Sequence, residues 1–325
     1  MKSFIGRTLS FSFDELDRWL VRVRPEKPAL LTFLFHGLFE NPQELERELL
    51  DPQQGVTVSH FRQFVQHLLE HSYQFVSPDQ IRNGLLPDRK YVMITFDDGY
   101  FNNLRALPVM REYQVPAVFF ITAGHVAEGR AFWWDVLYRE RRKTGAPANR
   151  ITAEVESLKS LTNDAIERRL AEQFGASALR PSSDLDRPLT PNELRDFARD
   201  PLVSIGNHTR YHAILTNYAE DAAREEITSA QEILRQITGA TPLSVCYPNG
   251  SYSPTVVRLA KEAGLQLGIT CDPHKNVIPL DPSTDAAMCL GRFGLIGNDR
   301  VARQCEVARA DFHLYPRLKR LLLNR

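Results

Sequence analysis

The chain reads as an α/β domain built on a parallel sheet, and three observations carry that reading. Short, nearly unbroken apolar runs alternate with longer amphipathic segments. The runs lack a polar face, as strands covered by helices on both sides require. No internal repeat or low-complexity tract breaks the alternation.

Seven runs have strand length: 29–36 (ALLTFLFH), 91–96 (YVMITF), 116–121 (PAVFFI), 202–206 (LVSIG), 243–247 (LSVCY), 266–270 (QLGIT) and 288–293 (MCLGRF). The clearest helical patterns are 59–72, 101–113, 219–238 and 254–263; Asn217 or Glu220 opens the third and Gly239 closes it. Seven strands in this alternation suit a barrel or an open doubly wound sheet. The stretch from about 124 to 200 is too long for a single crossover and reads as helices at 134–143, 150–160, 162–174 and 191–199, with a loop at Pro181 and Ser182-Ser183. We read it as a helical insertion over one mouth of the sheet, within a single domain spanning 1–325.

The 325 residues include 40 basic and 40 acidic side chains, for a formal charge of zero. That balance lacks the basic excess with which a general nucleic-acid binder neutralises phosphates, so no nucleic-acid partner is expected. The 43% hydrophobic share is ordinary for a chain with a full core. Asp14, Glu15, Asp17 and Arg18 interrupt any apolar run near the N-terminus, and no stretch approaches the ~20 apolar residues of a membrane span. A cytoplasmic location is the expectation. The basic tail at about 314–325 ends in PRLKRLLLNR, which suits a solvated helix or peripheral membrane contact on anionic lipid. Cys246, Cys271, Cys289 and Cys305 show no C-x-x-C pairing and read as free thiols.

Chemistry concentrates after two of the strands. The run 91–96 ends in Asp97-Asp98-Gly99. Adjacent carboxylates at the C-terminal end of a parallel strand repel unless a cation joins them; the alternative is a helix cap and a turn. The run 202–206 leads into Asn207-His208-Thr209-Arg210-Tyr211-His212, where two histidines at i and i+4 would share a face of a helical turn. His67 and His71 share that spacing within an amphipathic helix pattern remote from any strand end, so they read as helix-surface residues. Asp98, His208 and His212 together form a set of two histidines and one carboxylate, which leaves a metal with an open position for water; Asp97 is then available as a base.

With Tyr247-Pro248-Asn249-Gly250, the series TFDDG, H-T-x-x-H and YPNG occurs in an order that resembles the NodB-type polysaccharide deacetylases, carbohydrate esterase family four. The resemblance runs from about residue 29 to 293. It implies a deformed (β/α) barrel and divalent-metal hydrolysis of an N-acyl group, usually N-acetyl, on an amino sugar. By motif position it implies that Asp97 is the general base and that Asp98, His208 and His212 hold the metal. The backbone N–H of Tyr247 would help hold the oxyanion, with Pro248 and Asn249 beside the substrate. Zinc is the default ion, and the ligand set would also accept iron, cobalt or nickel.

Two family motifs are absent, Leu-x-His and Asp-x-x-Asp-Trp. Leu34-Phe35-His36 resembles the Tyr-His of the exopolysaccharide-associated branch, which makes His36 the candidate general acid and His274 the reserve. Arg292 is a candidate partner for Asp97. Trp133 and Trp134 suit either packing of the insertion or a stacking platform for a sugar ring. Rival readings are a deacylase of a lipid-linked sugar or small amide, and a non-catalytic carbohydrate-binding or assembly protein that retains the barrel.

Overall fold

The structure is a computed structural model that describes residues 26–281 and 284–311. The N-terminal segment and the basic tail, on which the expectations of location and membrane contact rest, lie outside the described residues. No helix among those described is long and apolar enough to cross a membrane.

The strands are β1 (Leu30–Phe35), β2 (Gln74–Phe75), β3 (Tyr91–Phe96), β4 (Ala117–Ile121), β5 (Val203–Asn207), β6 (Ser244–Cys246), β7 (Leu267–Ile269) and β8 (Phe293–Gly294). The main path runs β7-β6-β5-β4-β3-β1-β8, with β2 added beside β3, and every pair is parallel. Seven of these elements coincide with the seven expected runs, and the sheet curls into a deformed half-barrel. The last run differs. Residues 285–288 form a 3-10 turn, and the strand proper is two residues long. The segment between crosses from one sheet edge to the other: Leu290 bridges Ile269 beyond β7, and Phe293 pairs with Phe33 of β1. Crossing the sheet mouth leaves little length for a ladder and brings Arg292 over the barrel axis.

The barrel helices are α1 (Val58–Glu70), α2 (Leu107–Tyr113), α3 (Ala123–Glu128), α7 (Pro191–Phe197), α8 (Glu220–Thr238), α9 (Pro254–Glu262) and α10 (Val301–Arg309). Helix α1 starts at a Thr57–His60 capping box, and its Phe61, Phe64, Val65 and Leu68 recur at helical spacing and are buried. They meet Phe33, Phe35, Phe96, Phe119 and Phe197 in an aromatic chain whose ring centroids lie 4.6 to 5.5 Å apart where they touch. Each such ring contributes about 1.5–3 kcal/mol by burial, so this layer fixes the strands whose ends carry the candidate site. His67 and His71 end up at the far end of α1, rings 4.3 Å apart, with His71 Nδ1 bonded to the carbonyl of His67.

Between β4 and β5 lie α4 (Trp133–Lys143), α5 (Ala148–Leu158) and α6 (Asn163–Phe174). Their apolar cluster includes Trp133, Trp134, Leu137, Ile151, Val155, Ile166 and Leu170, and it continues onto Phe39, Leu50 and Tyr100. These helices sit on the barrel mouth at the C-terminal ends of β1 and β3. Helices α3 and α7, within the expected insertion, contribute Val126, Leu194 and Phe197 to the barrel's own cluster instead.

Candidate metal-centred active site

In a parallel sheet all C-terminal strand ends face one way, so residues far apart in sequence converge there. His36 follows β1, Asp97 and Asp98 follow β3, and His208 and His212 follow β5. Asn249 follows β6, Cys271 follows β7, and Arg292 precedes β8. All of these except His208 border a cleft of about 500 Å³ whose far wall is α5.

Asp98 and both histidines meet at one point. Asp98 Oδ1 lies 3.5 Å from His208 Nε2 and 3.6 Å from His212 Nε2. These separations are close to the edge of a tetrahedron with bonds of about 2.0–2.2 Å to its centre. Both carboxylate oxygens of Asp98 are buried without a hydrogen-bond donor. A buried carboxylate with no donor is costly unless a cation compensates it. Burial works against its ionisation, but His208, His36 and His212 outweigh it and hold Asp98 below the usual carboxylate range. His208 Nδ1 lies 2.8 Å from the Cys246 carbonyl, which can only accept. That bond puts a proton on Nδ1 and turns Nε2 towards Asp98; burial opposes a second proton, but Asp97 and Asp98 outweigh it and hold His208 above its ordinary range without a metal. Burial holds His212 down to about 3, so it is a neutral imidazole at neutral pH. The donor set therefore fits a divalent ion.

The two histidines do not lie on a helical turn. Thr209 and His212 have φ of 62° and 57°, which a right-handed helix excludes. The loop is built by side chains. Asn207 Oδ1 accepts the Thr209 N–H at 2.8 Å, and Thr209 Oγ1 accepts the Ala213 N–H at 2.7 Å. The Glu226 carboxylate on α8 accepts the Tyr211 N–H at 3.0 Å. Asp98 itself has φ of 73°, and the following Gly99 has φ of 87°, where a Cβ would also press on Ile121 Cδ1 at 3.0 Å.

Asp97 points the other way. Its Oδ1 accepts Arg292 Nη1 at 2.8 Å and its Oδ2 accepts Nη2 at 2.6 Å, a bidentate pair with both side chains buried. Arg292 is itself held by the Thr270 carbonyl at 2.9 Å and Thr95 Oγ1 at 3.2 Å. Burial raises the Asp97 carboxyl, but Arg292 overcomes this and keeps it far below the usual range. Asp97 Oδ2 lies 3.9 Å from His208 Nε2, so an ionised carboxylate borders the candidate metal position.

The N–H of Tyr247 is not free. It donates to the Ile269 carbonyl at 3.1 Å in the β6–β7 ladder, which removes it as an oxyanion donor. Two residues on, Asn249 has φ of 58° and borders the cleft. Among the described residues its backbone N–H makes no hydrogen bond. Pro248 is buried and supports the turn without bordering the cleft.

Trp133 and Trp134 are only 4% and 5% exposed, so neither offers an open platform, though each puts an edge on the cleft. Trp134 Nε1 donates to Tyr100 Oη at 2.9 Å, Tyr100 donates to Asp135 Oδ2 at 2.8 Å, and the Trp134 ring lies 4.6 Å from that of His212. The insertion thus buttresses a candidate ligand. Burial pushes Asp135 well above the ordinary carboxyl range despite its bonds from Tyr100 and from the Asp51 N–H. His36 borders the cleft with Nδ1 2.7 Å from Gln54 Oε1. His274 does not border it; its ring packs on Gly291, where even a methyl group would lie 2.3 Å away. The four cysteines are free thiols, with Cys246 buried beneath Asp97 at 3.5 Å and Cys271 exposed at the rim.

Sequence reasoning passed over Gln54, Asp135, Asn207 and Glu226. Asp135 and Asn207 lay beside recognised motifs, Gln54 and Glu226 beside none, and only Asn207, directly before His208 at a strand end, carried a local signal.

The chain matches the family model described as polysaccharide deacetylase over residues 86–268, more than half of its length. It is 20% identical over 265 residues to YxkH of Bacillus subtilis (strain 168), whose name assigns it to the polysaccharide deacetylases; the match covers 80% of this chain and 70% of YxkH. Among solved structures it resembles the Streptococcus pyogenes deacetylase PplD in complex with acetate, with a TM-score of 0.57 at 18% identity over 88% of this chain and 99% of PplD. It also resembles IcaB from Ammonifex degensii, with a TM-score of 0.56 at 16% identity over 88% of this chain and 98% of IcaB. At these identities the structural likenesses speak for the fold. The family match carries the activity: this chain belongs to the polysaccharide deacetylase family, hydrolases of carbon–nitrogen bonds that deacetylate carbohydrate.

Proposed function

We propose that the protein removes the N-acetyl group from an amino sugar of a glycan in a reaction that depends on a divalent metal, zinc by default. The observation that carries the reading is the division of labour between neighbouring carboxylates. Asp98 has two buried oxygens without donors, one of them 3.5 and 3.6 Å from two histidine nitrogens, whereas Asp97, one residue earlier, is paired bidentately with Arg292.

Asp98, His208 and His212 would hold the ion, which supplies polarisation of the amide carbonyl and acidification of a water. Asp97 takes the proton of that water. Arg292 occupies one lone pair on each of its oxygens and keeps it ionised and aimed, with the weak Cys246 thiol bond also on Oδ2, so the carboxylate retains accepting capacity for the proton. The Asn249 N–H, exposed by its left-handed backbone, supports the oxyanion in place of Tyr247. His36 protonates the leaving amine. It is favoured over His274 because it borders the cleft. The walls from α4 and α5, with Trp133 and Trp134 edge-on, bound the sugar.

The test is amine release from N-acetylated sugar oligomers by metal-defined protein, with Asp97→Asn as control. Release that requires metal and is lost in the variant supports the proposal. Metal-independent release, or release undiminished in the variant, refutes it.

A further inference from the structure

We infer that Gln54 is the positioning residue of His36, and that the loop 51–55 holds it for that purpose. The inference rests on His36 being the acid. It begins with proton bookkeeping at the ring. Gln54 Oε1 lies 2.7 Å from His36 Nδ1. The amide could be turned either way by itself, but its Nε2 faces the Leu34 carbonyl at 3.5 Å. A carbonyl only accepts, so the amide nitrogen belongs on that side and Oε1 belongs on the ring. An acceptor at Nδ1 requires the proton there. Nε2 is then the ring atom left for exchange, and it makes no hydrogen bond among the described residues. The His36 backbone is fixed as well, since its carbonyl accepts Asn103 Nδ2 at 2.8 Å.

The loop that carries Gln54 is held from three directions. Its first residue, Asp51, donates its N–H at 2.8 Å to Asp135, the buried carboxyl of the insertion helix α4. Within the loop, Gln53 sits at φ of 46° with its N–H on Asp51 Oδ1 at 2.9 Å, and Gly55 sits at φ of 59° with its N–H on the Pro52 carbonyl. From the far side, the Gly297 N–H donates to the Gln54 carbonyl at 2.7 Å. Gly297 approaches so closely that a Cβ there would stand 2.0 Å from the Gly55 carbonyl oxygen. A left-handed glutamine is an uncommon conformation that persists where its surroundings over-determine it. Here they do so immediately before the residue that orients the candidate acid. The same arrangement ties the insertion to the chemistry, because Asp135 holds both Tyr100 and this loop.

The partner is an amide and not a carboxylate, so it sets the tautomer without adding charge to a cleft that already contains Asp51, Asp97, Asp98, His212, Lys159 and Arg292. Gln54→Leu removes the acceptor at similar volume, and Gln54→Glu keeps one.

The experiment measures kcat for both variants, for His36→Ala and for the His36→Ala/Gln54→Leu pair, with ¹⁵N chemical shifts of the His36 ring in the metal-loaded protein. Gln54→Leu is expected to lower kcat about tenfold or more and to mix the ring tautomers. Gln54→Glu is expected to restore most of kcat, and Gln54→Leu to cost nothing further in the His36→Ala background. Undiminished kcat in His36→Ala would remove the acid assignment and this inference with it. A dead His36→Ala beside a fully active Gln54→Leu with an unchanged ring spectrum would overturn the positioning role alone. So would an equal further loss from Gln54→Leu on top of His36→Ala, because Gln54 would then act through the loop and not through the ring.

Discussion

Replacing Arg292 tests the electrostatic core of the site without any substrate. Asp97 and Arg292 form two short charge-assisted bonds, with side-chain exposures of 3% and 2%. Arg292→Met leaves a buried carboxylate with only the Cys246 thiol donating to it and His208 Nε2 3.9 Å away. Breaking a buried pair from one side costs about 3–5 kcal/mol, a large share of the 5–15 kcal/mol that holds a domain folded. Asp97→Asn makes the converse lesion and strands the guanidinium, although Thr270 and Thr95 still accept from it. The double variant removes both charges, so it should cost much less than the sum. We expect a coupling of about 3 kcal/mol, against about 0.2–1 kcal/mol for an exposed pair. Urea unfolding in chelator at pH 7 reads this free of metal. The pH dependence gives a second check. Asp97 is depressed below its ordinary value of 3.8, so the stability it lends is present above that value and is lost as pH falls through its folded value. The gap between wild type and Arg292→Met should therefore narrow as pH drops below about 4. Additive single effects, or a gap that widens in acid, would refute the reasoning.

Asp98→Asn, which removes a charged donor of the candidate set, should weaken zinc binding measured by calorimetry about a hundredfold or more; unaltered affinity would count against the ligand set. Saturating zinc should stabilise the wild type by about 4 kcal/mol at a thousand times Kd, and a chelator should reverse the shift in Tm. Glu226 is pushed up to about 7, chiefly by burial, from an ordinary 4.5. A raised carboxyl favours the folded state most at low pH and progressively less as pH climbs from 4.5 to about 7, a loss of up to about 3 kcal/mol. Glu226→Gln still offers an acceptor to the Tyr211 N–H, so it should exceed wild type in stability above pH 7 and converge with it near pH 4.5; the same gap at both ends would show that the charge is irrelevant. His274→Ala should retain turnover where His36→Ala loses it, since only His36 borders the cleft.

The sheet was legible because a buried parallel strand has no polar face, and each of the seven apolar runs overlaps a strand, the last by Phe293 alone. The last was overestimated because hydrophobicity records burial and not hydrogen bonding: Met288, Leu290 and Phe293 are all buried, yet only Phe293 belongs to a ladder strand. The convergence of Asp98, His208 and His212 into one candidate metal-binding cluster was legible for a related reason. Carboxylates and histidines placed just after apolar strands must gather at one mouth. Spacing could not say which N–H near β6 remains free, since that depends on the register with β7, where the Ile269 carbonyl accepts the Tyr247 N–H. Nor could it reveal the turn between the histidines, where Thr209 and His212 adopt a backbone that their residue types do not announce.

Asp98, Thr209, His212 and Asn249 all sit at positive φ between 57° and 73°, on three different strand ends. None is a glycine, so each pays the steric cost that makes this region rare for residues with a Cβ. Helical or extended backbone at the same positions would redirect the side chains of Asp98 and His212 and the N–H of Asn249. The cost is met by bonds that come from far along the chain or from side chains with no motif of their own. Glu226 lies 15 residues from the Tyr211 it holds, and Asp135 lies 84 residues from Asp51. Catalytic residue types are few, and their order along a chain is therefore conspicuous. The residues that aim them are glutamine, asparagine and glutamate, abundant everywhere, and they become recognisable only when the fold has brought them to the backbone they restrain.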